Sequence, residues 1–397
     1  MGVSYSTNQG ASFSYTIILP GSSNSTDKNM SATDEDPASP YFGRMYTVYT
    51  EFAGANLYKI MSSYSTNGGL TWSTVTSVSP SPSPGYFNLG CDIKVGPGGV
   101  VYVVWAHSIL NGQNSTEDWM GFAKSNNGGA SYSYTTNFAV DMNGIRTGSL
   151  FNGIRCNGFP RIDVDMTNCS TRGNIYVATG EKYFLPADGV ADIVLNTSTD
   201  QGLTWSRTKV NQNIDPNSYE YLPAIRVDET GDVNVCYYST RNSVTNSEAE
   251  VYLSRSTDAG VSFTDLLVSD HNFTPSPIGG LAAGYQGDYI GITSGNGKVW
   301  PFWCENGYTG RYQAWTSYVN ITGKTKCLKN VNGPFFVLYA DFYRYWPPRW
   351  LFVLSSDFYA PEQGVADTVF YWIQSPVSAY GIDSGSGKFN SYIAPVG

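Results

Sequence analysis

Short runs of apolar and β-branched residues recur along the whole chain and are separated by Gly, Asn, Asp and Ser. Examples are "RIDVD" (161–165), "IYVAT" (175–179), "AIRVD" (224–228) and "VNVCY" (233–237). Val, Ile, Tyr and Trp favour strands, whereas Gly, Asn and Asp favour turns. Charged residues make up only 14% of the chain, too few for long solvent-exposed helices. The pattern predicts an all-β protein.

The strands are grouped into repeating units. In each unit a first strand leads through a Gly-rich turn to a second one, as in "DIKVG" (92–96) with "VYVVW" (101–105), and "YIGIT" (289–293) with "VWPFW" (299–303). A third strand follows and leads into a turn of similar sequence in each unit, as in "AEVYLSRSTDAG" (249–260). Each unit of roughly 60 residues is therefore expected to contain four antiparallel strands.

An eight-residue pattern, S-[TN]-[DN]-x-G-x-[ST]-[FWY], joins the third strand of a unit to the fourth. It occurs five times, as "STNQGASF", "STNGGLTW", "SNNGGASY", "STDQGLTW" and "STDAGVSF", beginning at Ser6, Ser65, Ser125, Ser198 and Ser256. The steps between these serines are 59, 60, 73 and 58 residues. We call these segments the octets.

The octets have a structural interpretation. Asp or Asn at the third position can accept hydrogen bonds from backbone N–H groups of its own turn, and Gly at the fifth position allows a backbone conformation that other residues resist. A catalytic carboxylate is needed once, yet this position recurs and is Asn in three octets (Asn8, Asn67 and Asn127). Asp200 and Asp258 are therefore expected to hold turns together.

The octet resembles the Asp-box, also called the BNR repeat, of the sialidase superfamily, and the chain is similar to secreted bacterial BNR-repeat proteins. The resemblance and the repeated units imply a six-bladed β-propeller of four-stranded antiparallel blades. We expect residues 1–333 to form the blades, the first of them incomplete at the N-terminus. Residues 334–397 are expected to complete blade six, so that N- and C-terminal strands close the ring, or alternatively to form a small cap or partner-binding segment.

Composition and charge limit the kinds of molecule that the protein is expected to bind. The net charge is −9 without a basic cluster, which argues against nucleic acid and anionic membranes. No apolar run approaches the ~20 residues of a membrane span. Six cysteines permit up to three disulfides, with Cys156–Cys169 and Cys304–Cys327 the closest pairs, and two histidines make a zinc site improbable. The chain begins directly in strand-like sequence, which we interpret as a start after a removed leader of a secreted or cell-surface protein.

The loops that enter first strands and that join second to third strands line one end of a propeller, its mouth. Aligning the second strands places five residues in one column two positions beyond each core run: Glu51, His107, Glu181, Ser239 and Glu305. They would either end strands where the chain meets water, or form a polar ring that binds sugar hydroxyls, holds a structural Ca²⁺ or supplies an acid/base group. The first strands contribute Lys94, Asp163 and Arg226, for mutual salt bridges or for ligand contact.

Sialidases bind the substrate carboxylate through three arginines and use a Tyr nucleophile activated by Glu, with an Asp as acid/base. The resemblance implies these catalytic roles for Tyr289 (or Tyr219), Glu220 and Asp163. The arginines near the predicted mouth are Arg161, Arg226, Arg241 and Arg311. The Arg-Ile-Pro motif common in that superfamily is absent, and the nearest string is "FPRI" at 159–162.

Two functions from different classes fit these residues. The first is a secreted exo-glycosidase of sialidase type that acts on terminal sugars of glycans, with no cofactor. The second is a non-catalytic glycan-binding or adhesion propeller. Tyr-rich, acidic loops suit either one, because sugar rings stack on aromatic faces while hydroxyls bind carboxylates and amides.

Overall fold

A computed structural model describes residues 2–18, 26–111, 116–146, 150–182, 184, 191–308 and 310–321. It also gives the backbone of three strands at 336–345, 349–358 and 367–373. Every sheet in these residues is antiparallel. The predicted all-β class is therefore confirmed.

Five sheets follow one another along the chain after an N-terminal hairpin of β1 (Gly2–Tyr5) and β2 (Ser14–Ile17). The first sheet contains β3 (Thr26–Thr33), β4 (Met45–Glu51), β5 (Ile60–Ser65) and β6 (Thr76–Ser77). The second contains β7 (Tyr86–Val95), β8 (Val101–Ile109), β9 (Glu117–Ser125) and β10 (Tyr134–Asp141). The third contains β11 (Arg161–Val164), β12 (Ile175–Glu181), β13 (Asp192–Ser198) and β14 (Ser206–Lys209).

The fourth sheet contains β15 (Glu220–Val227), β16 (Val233–Ser239), β17 (Glu250–Ser256) and β18 (Thr264–Leu267). The fifth contains β19 (Gly291–Gly295), β20 (Lys298–Glu305) and β21 (Gln313–Thr316), with β22 (Val319–Asn320) paired to β20. Short 3₁₀ turns at Gly54–Asn56 and Pro97–Gly99 are the helical elements of the described residues.

The first strands of successive sheets lie side by side, so that β3, β7, β11, β15 and β19 form the inner wall. Two of these contacts are made by a carboxylate that accepts a backbone N–H of the next sheet. Asp92 accepts from Ile162 at 3.1 Å, and Asp163 accepts from Val227 at 2.8 Å. Sheets that radiate from an inner ring of first strands are the blades of a β-propeller.

The prediction of six blades is wrong, because the structure shows five. The N-terminal strands β1 and β2 pair with each other, and β23 (Phe336–Tyr345), β24 (Arg349–Phe358) and β25 (Asp367–Ile373) form a three-stranded sheet of their own. This last sheet belongs to a second compact unit, residues 167–170 and 320–397. The role of residues 334–397 in completing the propeller stays a prediction.

Apolar residues from the facing sheets of neighbouring blades form the core. Between the first two blades Tyr46 and Val48 pack with Ile93, Val103 and Trp105, all nearly inaccessible to solvent. Equivalent clusters lie between the second and third and between the third and fourth blades. Each such side chain contributes about 1.5–3 kcal/mol on burial, so these clusters are the main stabilising contacts between blades.

The five octets adopt one hydrogen-bonded turn. In each, the first Ser hydroxyl donates to the third-position side chain at 2.7–3.0 Å and accepts the Gly N–H at 2.8–3.0 Å. The third-position oxygen accepts the seventh-position N–H at 2.9–3.0 Å, whether that residue is Asn or Asp. Every octet joins the last two strands of its sheet, as the sequence predicts.

In three of the octets the glycine also contacts the preceding blade. A Cβ on Gly202 would lie 2.2 Å from the Phe122 ring, and one on Gly260 would lie 2.4 Å from Leu195. A Cβ on Gly129 would lie 3.0 Å from Tyr46. The octets therefore link neighbouring blades as well as neighbouring strands.

The expected disulfides between near neighbours do not form. Cys91, Cys156, Cys236 and Cys304 are free thiols, which excludes both Cys156–Cys169 and Cys304–Cys327. Cys156 is buried, whereas Cys304 is exposed on β20. Cys169 is in a disulfide. Among the described residues no helix is long and apolar enough to cross a membrane.

Candidate functional site at the mouth

Backbone irregularities shape the mouth end of the inner strands. The register of β3 shifts between Asp27 and Met30, where Lys28 has φ 57°. The register of β7 shifts in the same way between Leu89 and Asp92. A β-bulge re-aims the side chains around it, and such bulges are common next to active sites. In β3 the residue at the bulge, Lys28, contacts Asp288, Phe159 and Tyr289 from other parts of the ring.

Asp288, just before β19, is a carboxylate that residues from several blades contact at this end of the propeller. It forms a salt bridge with Lys28 of the first blade, and the two side chains are 9% and 12% exposed. Arg155 lies 3.6 Å from its Oδ1, and the Asn157 amide donates to its backbone oxygen at 3.2 Å and to Oδ1 at 3.4 Å. Segments from the first, third and fifth blades thus meet at one carboxylate.

Aromatic rings lie under the cations around Asp288. Lys28 Nζ is 5.6 Å from the Tyr289 ring and 5.9 Å from the Phe159 ring. Arg161 lies 5.1 Å from the same Tyr289 ring and 3.5 Å from Asp92. These contacts hold the cationic groups in place on apolar surfaces.

Two further arginines belong to the same end. Arg155 stacks on Tyr285 at 4.7 Å, and Arg146 lies 5.5 Å from Phe159 and 5.9 Å from Phe87. The Arg146 guanidinium has no salt-bridge partner among the described residues, in contrast to Arg155. We call the following residues the mouth cluster: Lys28, Phe87, Asp92, Arg146, Arg155, Asn157, Phe159, Arg161, Tyr285, Gln286, Asp288 and Tyr289.

Glu117 holds the backbone of the connection between β10 and β11, which carries Arg146 and Arg155. Its Oε1 accepts the Gly158 N–H at 3.1 Å and its Oε2 accepts the Arg146 N–H at 2.9 Å. Burial raises the pKa of this carboxyl, while Arg146 and the two N–H groups act in the opposite sense. Glu117 therefore orients the backbone on both sides of this connection, at Arg146 and at Gly158.

Buried polar atoms of two side chains in the segment that leads to β19 have no hydrogen-bond partner among the described residues. Gln286 is 5% exposed, and neither its amide oxygen nor its amide nitrogen has a hydrogen-bond partner among the described residues. The Tyr289 hydroxyl has none in that set either. Burial raises the pKa of Tyr289, with Cys91 adding to the rise and Arg161 opposing it. An unsatisfied buried polar group costs about 1–3 kcal/mol, and none of these atoms has solvent-accessible surface through which a ligand could reach it.

The three predicted catalytic residues lie in separate surroundings. Tyr289 is in the mouth cluster. Glu220 accepts the hydroxyls of Ser239 at 2.7 Å and Ser218 at 3.2 Å, and burial raises its pKa to about 7. Asp163 forms a salt bridge with Lys94 at 2.9 Å. Among the described residues no hydrogen bond joins Tyr289 to Glu220 or Asp163.

Of the predicted arginines, only Arg161 is placed in the mouth cluster. Arg226 reaches Asp163 at 3.6 Å, and Arg241 pairs with Asp265 and stacks on Tyr252 at 4.0 Å within the fourth blade. Arg311 is exposed in the connection that leads to β21. The cluster instead uses Lys28, Arg146 and Arg155, which the sequence reasoning missed.

One signal in the sequence could have found two of them. The step of 73 residues between the third and fourth octets exceeds the other steps by at least 13 residues. The excess corresponds to the connection between β10 and β11, residues 142–160, which contains Arg146 and Arg155. Insertions of this kind in a regular repeat often carry function.

The predicted column of strand-end residues is buried instead of open to the mouth. Its members are exposed by 5% or less: Glu51, His107, Glu181, Ser239 and Glu305. His107 pairs with Asn88 at 2.7 Å, and burial lowers its pKa to about 4. Glu181 accepts the Thr179 hydroxyl at 2.8 Å and pairs with Arg207. Glu305 pairs with His271 at 3.0 Å. Among the described residues no group of three or more His, Cys, Asp or Glu is arranged to hold a metal ion.

Fold and site together define a class, a β-propeller with a cationic, aromatic-lined mouth. No family model and no curated protein sequence matches the chain. A protein of unknown function from Dyadobacter fermentans is similar in structure, with TM-score 0.46 and 12% identity over 89% of this chain and 95% of that one.

Two carbohydrate-active enzymes are similar at the same level. The GH93 α-L-arabinofuranosidase of Fusarium graminearum, solved with arabinobiose, gives TM-score 0.44 and 11% identity over 88% of this chain and 93% of that one. A leech intramolecular trans-sialidase, complexed with 2,7-anhydro-Neu5Ac, gives TM-score 0.40 and 10% identity over 88% of this chain and 68% of that one. At these values the resemblances assign no substrate or activity to this chain.

Proposed function

We propose that the protein is a carbohydrate-directed propeller whose mouth cluster binds an anionic terminal sugar of a glycan. The observation that carries the proposal is the convergence of Lys28, Arg146, Arg155 and Arg161 on neighbouring aromatic rings. A sugar ring stacks on aromatic faces, and guanidinium groups match a carboxylate bidentately.

Each part of such a ligand has a counterpart in the cluster. Arg146, which has no salt bridge among the described residues, is the group to receive the sugar carboxylate. Arg155 is 34% exposed and stands on Tyr285, so it can add a second charged hydrogen bond while it stays near Asp288. The rings of Phe159, Tyr285 and Tyr289 offer aromatic faces on which the sugar ring can stack.

Hydrolysis of the bound sugar by a sialidase-type exo-glycosidase is the second candidate function. It is favoured by the position of Tyr289, which lies in the mouth cluster with its ring 5.1 Å from Arg161. A Tyr nucleophile of this type needs a carboxylate as its base. Glu220 is hydrogen-bonded to Ser218 and Ser239, so turnover would require another carboxylate to reach Tyr289.

Binding is tested by titration calorimetry with the α-methyl glycoside of N-acetylneuraminic acid, and with methyl β-galactoside as a neutral probe. We expect the acidic sugar to bind and R146M to weaken it about tenfold or more, because a charged hydrogen bond contributes about 1.5–3 kcal/mol. R155M should weaken it as well. K124M, which removes a cation beside the octets at the other end of the blades, serves as the control. Wild-type affinity in R146M and R155M, or no affinity for the acidic sugar, would overturn the proposal.

Turnover is tested separately by release of a fluorophore from aryl α-sialosides. A glycosidase would release it at a rate that Y289F abolishes while leaving the affinity for the methyl glycoside within a few-fold of wild type. Binding without release would identify a glycan-binding or adhesion propeller. A location outside the cell is part of the proposal and is supported by the disulfide at Cys169, since disulfides persist in oxidising compartments.

A further inference from the structure

Both ring nitrogens of His271 face a carboxylate. Nδ1 lies 2.6 Å from Asp270 Oδ1, and Nε2 lies 3.0 Å from Glu305 Oε2. A neutral imidazole carries one N–H, whereas the imidazolium donates from both nitrogens. Both hydrogen bonds can therefore form only when His271 is protonated. The hydrogen bond to Asp270, followed by that to Glu305, raises the pKa of His271 despite its partial burial.

The two carboxylates have different surroundings. The Asp270 side chain is 90% exposed, so water can replace His271 as its partner. Glu305, the last residue of β20, is 1% exposed, and its Oε1 has no hydrogen-bond partner among the described residues. Burying a charged group without a partner is costly. Glu305 therefore depends on the charge of His271 in a way that Asp270 does not.

The other elements around the imidazole hold it in position. The ring of Trp315, on β21, packs edge-on against it at 5.2 Å. Glu248, from the connection between β16 and β17, accepts the amide of the next residue, Asn272, at 3.1 Å. The charged groups that act on His271 are thus Asp270 on its own segment and Glu305 on β20, with Glu248 held one residue away.

His271 lies near the start of the segment that connects β18 to β19, residues 268–290. Phe273 exchanges backbone hydrogen bonds with Ala249, which fixes this start to the fourth blade, while His271 fixes it to the fifth. The far end of the same segment carries Gln286, Asp288 and Tyr289 of the mouth cluster. We infer that His271 is a positioning residue whose proton fastens this segment to β20 and so pre-organises the mouth cluster for its ligand.

The direction of the pH effect follows from the linkage between protonation and structure. The folded state binds the His271 proton more tightly than an exposed histidine does, so the fastening is complete at acidic pH and is lost as the pH rises through the raised pKa. The segment 268–276 should then open more readily, and the ligand should bind more weakly. The part of this inference that concerns ligand affinity rests on the proposed function.

The fastening itself is tested without any ligand. Because the chain has two histidines, NMR titration of the imidazole signals resolves His271 once H271Q has assigned it. E305Q should lower the pKa of His271, whereas the control E248Q, which removes a neighbouring carboxylate that does not contact the ring, should leave it unchanged. Amide exchange of residues 268–276, corrected for intrinsic rates, should be slower at pH 5.5 than at pH 8 in the wild type. H271Q should lack this difference.

An unchanged His271 pKa in E305Q, or the same exchange behaviour in H271Q and the wild type, would overturn the inference. The link to the mouth is tested with the α-methyl sialoside, whose affinity should fall several-fold from pH 5.5 to pH 8 in the wild type and in E248Q, but not in H271Q. Equal pH dependence in H271Q would refute that link. If the sialoside does not bind at all, the proposed function fails, while titration and exchange still decide the fastening.

Discussion

Lys28 and Asp288 are 260 residues apart in the chain and form a salt bridge between the first and the fifth blade. Neither side chain is more than 12% exposed. The pair is therefore a contact across the mouth that joins the beginning of the ring to its end. It is also part of the mouth cluster, so stability and ligand binding share the same residues.

Replacement of Asp288 by Asn should destabilise the propeller by about 3 kcal/mol, because removal of one partner of a buried pair leaves the other charge uncompensated. Lys28 and Arg155 would then face each other without a carboxylate. K28M should cost less, since Arg155 and Asn157 still contact Asp288. Urea unfolding of the single and double variants measures the coupling. Strictly additive costs would show that the salt bridge does not join the blades energetically.

The Asp200 turn should tolerate Asn but not Ala. D200N keeps the oxygen that accepts the Thr204 N–H at 2.9 Å, and Asn67 already makes the equivalent turn in its own octet. We expect D200N to stay within about 0.5 kcal/mol of wild type at pH 7 and D200A to lose about 1–2 kcal/mol. Thermal and urea unfolding of both variants provide the measurement. A large loss in D200N would mean that the charge itself matters in this turn.

The pH dependence of stability should also differ between D200N and the wild type. The hydroxyl and the N–H of Thr204 donate to Asp200 and lower its pKa to about 2. A lowered carboxyl pKa contributes stability above the usual Asp range and loses it as the pH falls toward 2. D200N lacks this contribution, so its stability should decline less than that of the wild type between pH 5 and pH 2.5.

Gly202 should be far less replaceable than Gly68. Both have positive φ, 88° and 70°, so alanine strains the backbone at either site by about 1–2 kcal/mol. At Gly202 the new Cβ would also lie 2.2 Å from the Phe122 ring, whereas at Gly68 it meets nothing within 4 Å. Overpacking adds about 1–3 kcal/mol. Equal destabilisation of G202A and G68A in urea would indicate that the blades can separate enough to accept a methyl group.

Glu220 should make the protein less stable as the pH rises. Burial raises the pKa of this carboxyl from 4.5 to about 7. Between these values the unfolded chain has released the proton that the folded protein keeps, so stability falls as the pH rises from about 4.5 to 7. The shift corresponds to about 3 kcal/mol. E220Q should therefore gain stability relative to wild type between pH 5 and pH 8, measured by urea unfolding.

The control for Glu220 is E35Q, at an exposed glutamate, which should follow the wild-type pH dependence. If E220Q and E35Q keep the same difference in unfolding free energy at pH 5 and pH 8, Glu220 is ionised at both pH values in the folded protein. In that case Arg241, 3.9 Å away, would outweigh the effect of burial.

The strands and octets could be predicted from sequence because each is determined by neighbouring residues. The Ser198 hydroxyl, the Asp200 carboxylate and Gly202 are within four residues of one another and specify their turn without help from the rest of the chain. The number of blades depends on which distant strands pair, and β1 with β2 satisfies its own hydrogen bonds. Local patterns carry no information on that choice, which is why six blades were expected and five are found.

The mouth cluster was harder to predict for a related reason. Arg161 was found because it stands at the regular start of a first strand. Lys28 lies at a bulge of β3, and the backbone N–H of Arg146 is held by the carboxylate of Glu117, 29 residues away. Neither a bulge nor a contact of that kind leaves a periodic signal. Only the extra length between the third and fourth octets indicates that this part of the ring is special.

The octet glycines bear on how such a ring can change during evolution. Gly202 accommodates Phe122, Gly260 accommodates Leu195 and Gly129 accommodates Tyr46, so these three junctions are filled by side chains of different shape. The turns themselves are interchangeable, whereas the surfaces they meet are not. A blade that is duplicated or moved to another place in the ring would meet a neighbour of the wrong size. Growth of this propeller by copying blades would therefore require a compensating substitution at every new junction.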